Sequence, residues 1–175
     1  MTEGDNKMEF TFPACRQAGE LVPKKASQLP SDEIINDSVC RNLIKEAIGM
    51  LKRSYVPYSN FHVGAALLTK GNKIYTGCNI ENATFTPTNC AERTAFFKAV
   101  SEGEKDFVAI AVVGGKKGNI VDYCPPCGVC RQVMMEFCNP QKFIVILAKS
   151  EEDYWVYTLS DILPLGFSAH NLKDE

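Results

Sequence analysis

The stretch FVAIAVVGG, residues 107–115, carries no polar side chain over nine positions. A strand with one wet face alternates apolar and polar residues, so a continuous run of this length is expected of a strand covered on both faces. FIVILAK, residues 143–149, reads the same way. Two such strands require helices on both sides of one sheet. The remaining segments supply them. Ser31 and Asp32 offer N-caps for a helix running to about Arg53, whose apolar stripe Ile35, Val39, Leu43, Ala47, Ile48 and Leu51 is spaced mostly by threes and fours. HVGAALLT (62–69) and KIYTGCN (73–79) flank Lys70-Gly71-Asn72 as a hairpin. CAERTAFFKAVSEG predicts a helix from Cys90 to Ser101 that stops near Gly103. A further helix spans about Gly128–Cys138, and DYWVYTL (153–159) is a last, shorter strand. The order α-β-β-α-β-α-β-β predicts an α/β fold, a three-layer α/β/α sandwich on a mixed five-stranded sheet. Residues 31–175 are expected to form a single domain. Residues 1–30, polar, aperiodic and interrupted by Pro13, Pro23 and Pro30, are expected to be a loosely ordered extension.

Charge and hydropathy narrow the function. A net charge of −2 gives no basic stripe for a polynucleotide. No apolar run approaches the roughly 18 residues that a membrane-spanning helix needs. The opening MTEGDNKMEF lacks the basic start and apolar stretch of a signal peptide, so the expected location is the cytoplasm. The eight cysteines are therefore read as free thiols, metal ligands or reactive groups rather than as a disulfide framework.

Three of these cysteines crowd into DYCPPCGVCRQ, residues 122–132. If a helix begins at Gly128, Cys127 caps it and Cys130 lies in its first turn, on the same face. The unpaired N–H groups and positive dipole end of that helix favour thiolates there. Two prolines hold residues 125 and 126 extended, which puts the Cα of Cys124 about 9 Å from that of Cys127. Cys127 and Cys130 are thus the pair expected to hold an ion, with Cys124 a bystander. Two thiolates do not complete a zinc site. His62 and His170 are the only histidines and do not form a ligand pair. Cys90 is the best third ligand, since it too stands at a predicted helix start, with Glu92 two residues on. The bland alternative for Asn89-Cys-Ala-Glu92 is a capping box. C-A-E followed by P-C-x-x-C, however, matches the signature of zinc deaminases, in which the glutamate is not a ligand.

YSNFHVGAAL (58–67), GCNIENA (77–83), NCAERTA (89–95), PCGVCRQ (126–132) and ILPLGF (162–167) occur in the order found in the small, three-cysteine cytidine deaminases, which the chain resembles from residue 58 to 167. The resemblance implies the same α/β/α sandwich, assembled as a homotetramer with shared active sites and one Zn²⁺ per chain. It implies that Cys90, Cys127 and Cys130 hold the zinc, that the fourth position takes the water that attacks C4 of cytosine, and that Glu92 shuttles protons to N3 and to the departing ammonia. Arg93 and Arg131 would offset the negative charge of three thiolates. Asn79 and Glu81 would bind the ribose, Phe61 and the backbone of Ala91 the pyrimidine, and Phe167 a neighbouring subunit's site. Phe85 stands where relatives usually carry tyrosine, His62 at a commonly proline position, and Cys124 is extra.

The expected activity is hydrolytic deamination of cytidine and deoxycytidine to uridine and deoxyuridine, within pyrimidine salvage. A deaminase of another aminopyrimidine nucleoside such as blasticidin S is the nearest alternative. A structural zinc-binding interaction module, which would need four protein ligands, is the alternative from another class.

Overall fold

A computed structural model of the chain describes residues 34–172. The expected N-terminal extension lies outside those residues, as do the capping candidates Ser31 and Asp32. Helix α1 spans Asp37–Met50, later than expected, because Asn36 takes the cap and its side chain accepts the Val39 N–H at 3.0 Å. Ile35 ahead of the cap and Cys40 in the helix join the same core, which fixes the angle at which the chain enters. The last turn tightens to a 3-10 segment, Leu51–Arg53.

The strands are β1 (Phe61–Thr69), β2 (Ile74–Cys78), β3 (Phe107–Lys116), β4 (Ile144–Ala148) and β5 (Tyr154–Thr158). They form one sheet in the order β2-β1-β3-β4-β5. Only β3 and β4 are parallel, joined through helix α3 (Gly128–Phe137); the other pairs are antiparallel, so the sheet is mixed as expected. Period-two alternation sends each strand's residues to opposite faces. Ala66, Leu68, Ala109, Ala111, Ile144 and Ile146 pack with Leu43, Ile44 and Ala47 of α1. Ala65, Leu67, Ile110, Val112, Val145 and Leu147 pack with Phe96 and Met134 of helices α2 (Ala91–Ser101) and α3. Both faces are covered, which explains the uninterrupted apolar runs of β3 and β4. A short helix α4, Leu159–Ile162, held by a capping box between Thr158 and Asp161, was not legible in the sequence as a helix. Among the described residues no helix is long and apolar enough to cross a membrane.

One glycine decides where α2 lies. A Cβ on Gly77 of β2 would fall 2.2 Å from the Ala91 carbonyl oxygen and 2.6 Å from the Ala95 nitrogen. Glycine lets the first turn of α2 rest directly on the sheet. Gly77→Ala is therefore expected to destabilise the fold by about 2 kcal/mol or more through this overlap with backbone. Displacing that turn also displaces Cys90. Thermal unfolding and metal content of the purified variant measure the two effects separately.

Candidate functional site

Two helices begin at the same place on one side of the sheet. Cys90 is the N-cap of α2 and Cys127 the N-cap of α3, and neither helix start has a side-chain cap hydrogen bond. The alternative capping box at residues 89–92 is not formed; the Asn89 amide donates to the Thr94 hydroxyl instead. The Sγ atoms of Cys90 and Cys127 are 3.8 Å apart, those of Cys127 and Cys130 3.5 Å, and all three lie within 4.8 Å of one another. Four ligands at the usual Zn–S length of about 2.3 Å, arranged tetrahedrally, place sulfurs roughly 3.8 Å apart. The trio fits that geometry and offers three donors, leaving a fourth position. Cys130 is buried, Cys90 half-buried and Cys127 exposed, so the cluster reaches solvent on one side.

The electrostatics favour an anionic cluster. Cys90 falls to about 5, because the Cys130 thiol hydrogen-bonds to it and Arg93 and Cys127 add to the effect, against the cost of burial. The Cys130 thiol is raised as the partner that keeps that hydrogen, with burial acting the same way. The Arg93 guanidinium donates to the Thr88 carbonyl at 2.9 Å and contacts the Cys90 sulfur at 3.8 Å. Its Nε is buried without a hydrogen-bond partner, and its charge acts on the Cys90 and Cys130 sulfurs. Arg131 behaves differently from Arg93. Its hydrogen bonds run to the carbonyls of Pro126 and Ile162, both at 2.7 Å, rather than to a sulfur. It ties the turn before α3 to the end of α4, and of the two arginines only Arg93 reaches the trio by a hydrogen bond.

Glu92 is the second residue of α2 and only 3% exposed. Burial pushes its carboxyl up to about 7, and the Cys90 charge adds to that; its own backbone N–H, Cys130 and Arg93 pull the other way. A carboxyl held protonated in the fold but not in the unfolded chain contributes a stability that is lost as pH rises from the unfolded value to the folded one. In the metal-free protein, Glu92→Gln is thus expected to raise the melting temperature most above pH 7. The advantage should shrink to nothing toward pH 4.5, and a series of melting curves across that range checks it.

Asn79 and Glu81 both turn toward the segment that precedes and opens β1. The Asn79 side chain accepts the Val63 N–H at 2.9 Å and donates to the Phe61 carbonyl at 2.8 Å. One carboxylate oxygen of Glu81 accepts the N–H groups of Tyr58 and Ser59, at 2.9 and 3.2 Å. Hydrogen bonding from the Ser59 side chain lowers this carboxyl; burial opposes it, and the backbone N–H groups of Tyr58 and Ser59 add to the lowering. A cleft of about 360 Å³ opens here, lined by Tyr58, Ser59, Glu81, Phe85 and Thr88. Phe85, at φ +58° and 72% exposed, sits 6.2 Å from the Tyr58 ring. Ala91 is buried, Phe61 partly exposed, and Phe167 exposed with its carbonyl held by the Gln132 amide at 2.8 Å.

Cys124 stays outside the trio, as expected, but Glu92 and Cys90 still act on its thiol electrostatically. Its thiol lies over Gly114, where a Cβ would meet Sγ at 2.7 Å and the Phe61 ring at 3.1 Å. Burial raises it to about 12, and the charges of Glu92 and Cys90 contribute. The preceding residue is clamped. The Tyr123 ring stacks on Trp155 at 3.8 Å, lies 4.6 Å from the Lys149 ammonium, and its hydroxyl donates to Asp153. The sequence signal for this close approach was the Gly114-Gly115 pair ending β3, where a strand gives up side chains to admit a neighbour. Tyr58, Ser59 and Thr88 were missed because backbone pairing of residues 55 and 80–81 brings them together, and no local pattern encodes it.

Comparison with known proteins gives a consistent answer. Residues 38–147 match the pattern of the cytidine and deoxycytidylate deaminase zinc-binding region. The chain is 52% identical over 132 residues to a cytidine deaminase of Halalkalibacterium halodurans, covering 75% of this chain and 96% of that one. It superposes on the crystal structure of a cytidine deaminase from Burkholderia pseudomallei with a TM-score of 0.66 at 44% identity, covering 72% and 97% of the two chains. A blasticidin-S deaminase of Bacillus cereus is similar at 34% over 118 residues, covering 62% of this chain and 79% of that one.

Proposed function

Since the chain belongs to the cytidine and deoxycytidylate deaminase family, we propose that it hydrolyses cytidine and deoxycytidine to uridine and deoxyuridine with release of ammonia. The observation that carries this reading is a buried, unusually basic carboxyl, Glu92, beside a cluster of three sulfurs with room for one further ligand. Cys90, Cys127 and Cys130 would hold the zinc, which would supply Lewis acidity and lower the pKa of a bound water.

The chain's own residues then divide the work. A carboxyl poised near 7 accepts a proton from water and gives it up again at neutral pH, which suits a shuttle. Glu92 takes one proton of the attacking water and passes it to N3 as C4 becomes tetrahedral; it then takes the remaining proton of the new C4 hydroxyl and gives it to the amino group, which leaves as ammonia while C4 becomes a carbonyl. Arg93 balances the charge of the sulfurs, and Arg131 keeps the turn that carries Cys127 in place. Phe61 packs on the base, which the Ala91 backbone contacts. Asn79 and Glu81 grip the ribose. Their existing bonds to residues 58–63 preorganise that wall, and the second carboxylate oxygen of Glu81 is left for a hydroxyl.

Glu81→Gln is expected to raise KM for cytidine about tenfold with a smaller change in kcat, as loss of binding shared by ground and transition states requires. Steady-state kinetics decide it; an unchanged KM would remove Glu81 from the ribose site. Phe167 and Leu165, exposed near the C-terminus, suit completion of a neighbouring subunit's site within a homotetramer. Gel filtration tests this, and a fully active 19 kDa species would contradict it. Free thiols at all seven described cysteines suit a reducing compartment such as the cytoplasm.

The deciding experiment incubates the purified zinc protein with cytidine and follows its conversion to uridine by absorbance, with blasticidin S in a parallel reaction. Turnover of cytidine supports the reading; turnover of blasticidin S alone replaces it with the alternative.

A further inference from the structure

Among the described residues, Cys124 is the thiol, beside Phe61 and the site, that the deamination chemistry above does not use. Three observations place it there. Its side chain fills the space that Gly114 leaves at the end of β3, with the Phe61 ring against the same spot. Gly114 follows Ile110 and Val112 on the face of the sheet that carries α2 and α3, the face from which Cys90 and Glu92 project. Tyr123, immediately before Cys124, is held by Trp155, Lys149 and Asp153, so the position of residue 124 is fixed rather than adjustable. Within the described residues the thiol makes no hydrogen bond, and burial keeps it protonated beside the Glu92 and Cys90 charges. With the Phe61 ring it thus offers a neutral, polarisable surface close to Glu92 and Cys90.

The chemistry of the base then orients it. C4 must face the sulfur cluster, and its ring neighbour N3 must face Glu92. The other neighbour, C5, carries an apolar C–H that needs an uncharged wall. We propose that Cys124 is a specificity-determining residue: seated over Gly114 beside Phe61, its side chain forms the wall for the C5 edge of the pyrimidine, and its size sets which 5-substituents the site accepts. The inference rests on the deaminase reading.

The test compares cytidine with 5-methylcytidine in the zinc-loaded wild type and in Cys124→Ala, Cys124→Ser and Cys124→Leu, with zinc content and melting temperature measured for each. The quantity read is the ratio of kcat/KM for the methylated over the plain substrate. A single methyl group in a fitted pocket changes specificity by roughly 10-fold or more. Cys124→Ala is expected to raise the ratio about fivefold to tenfold, Cys124→Leu to lower it about tenfold, and the near-isosteric Cys124→Ser to leave it within about twofold. The Kd values of uridine and 5-methyluridine, measured by calorimetry, should change in the same order. If the leucine variant fails to fold, the alanine and serine variants carry the test. Equal losses on both substrates, or a ratio within about twofold of wild type in Cys124→Ala, overturn the proposal and leave Cys124 a packing residue. Wild-type protein that turns over neither nucleoside overturns the deaminase reading instead, and the product Kd ratios still judge the role of Cys124.

Discussion

Glu92→Ala is expected to lower kcat for cytidine by roughly three to four orders of magnitude while each chain keeps its zinc. The size follows from the two jobs given to one group. General acid–base catalysis by a positioned side chain contributes roughly 10²- to 10⁴-fold, and Glu92 would serve both the attack and the departure of ammonia. The zinc should remain, because the carboxyl lies outside the three-sulfur set. Substrate affinity should change far less than turnover, since the ribose contacts proposed above lie elsewhere, at Asn79 and Glu81. Glu92→Gln separates shape from proton transfer: it preserves the buried volume and should lose nearly as much activity as alanine. Absorbance kinetics together with elemental analysis decide the matter. Retained turnover would dismiss the shuttle, and loss of zinc with Glu92 would make the carboxyl a ligand.

The second large effect belongs to Cys127. Cys127→Ala should reduce bound zinc from one per chain to less than about 0.1 and abolish turnover with it, since two thiolates are too few for a stable protein site. Cys127 is the most informative of the three because its side chain is exposed. Replacing buried Cys130 would also open a cavity in the core, confusing metal loss with unfolding. With Cys127 the metal-free wild type, prepared with a chelator, is the proper control, and its melting curve should nearly coincide with that of the metal-free variant. Cys124→Ala, by contrast, should keep its zinc. Retention in Cys127→Ala with loss in Cys124→Ala would reverse the ligand assignment.

The layers of this protein were legible because they are encoded by periodicity. Unbroken apolar runs at residues 107–115 and 143–149 demanded cover on both faces, and the structure supplies α1 on one and α2 with α3 on the other. The three sulfurs were legible because helix-start signals repeat at Cys90 and Cys127, so chemistry and local structure coincide. Less was legible where long-range pairing decides. Asn36 rather than Ser31 or Asp32 begins α1, since all three residue types cap well and only packing of the residues around the cap chooses among them. The cleft at Tyr58 and Phe85 arises from backbone bonds between residue 55 and residues 79 and 81, which no local pattern announces. The link of Arg131 to the sulfurs came with the resemblance; one of its two carbonyl partners, Ile162, lies in α4, a four-residue turn of helix the sequence did not reveal. The exclusion of Cys124 from the trio was legible in the stiffness of its two prolines, whereas its seat over Gly114 depends on the fold of β3 beneath it.

The division of the sulfurs between α2 and α3 also bears on the birth of the protein. Cys90 and Cys127 are 37 positions apart, and the whole of β3 lies between them. A growing chain that has released α2 but not α3 offers one thiol of the trio, too few to retain an ion. Capture must wait until β3 has joined the sheet and α3 has followed it from the ribosome. An ion held by the trio would fasten the starts of two helices that lack a side-chain cap hydrogen bond and are separated in the chain by β3. Metal uptake would in this sense inspect folding midway, after β1, β2 and β3 and before the strands β4 and β5 that follow α3 in the chain.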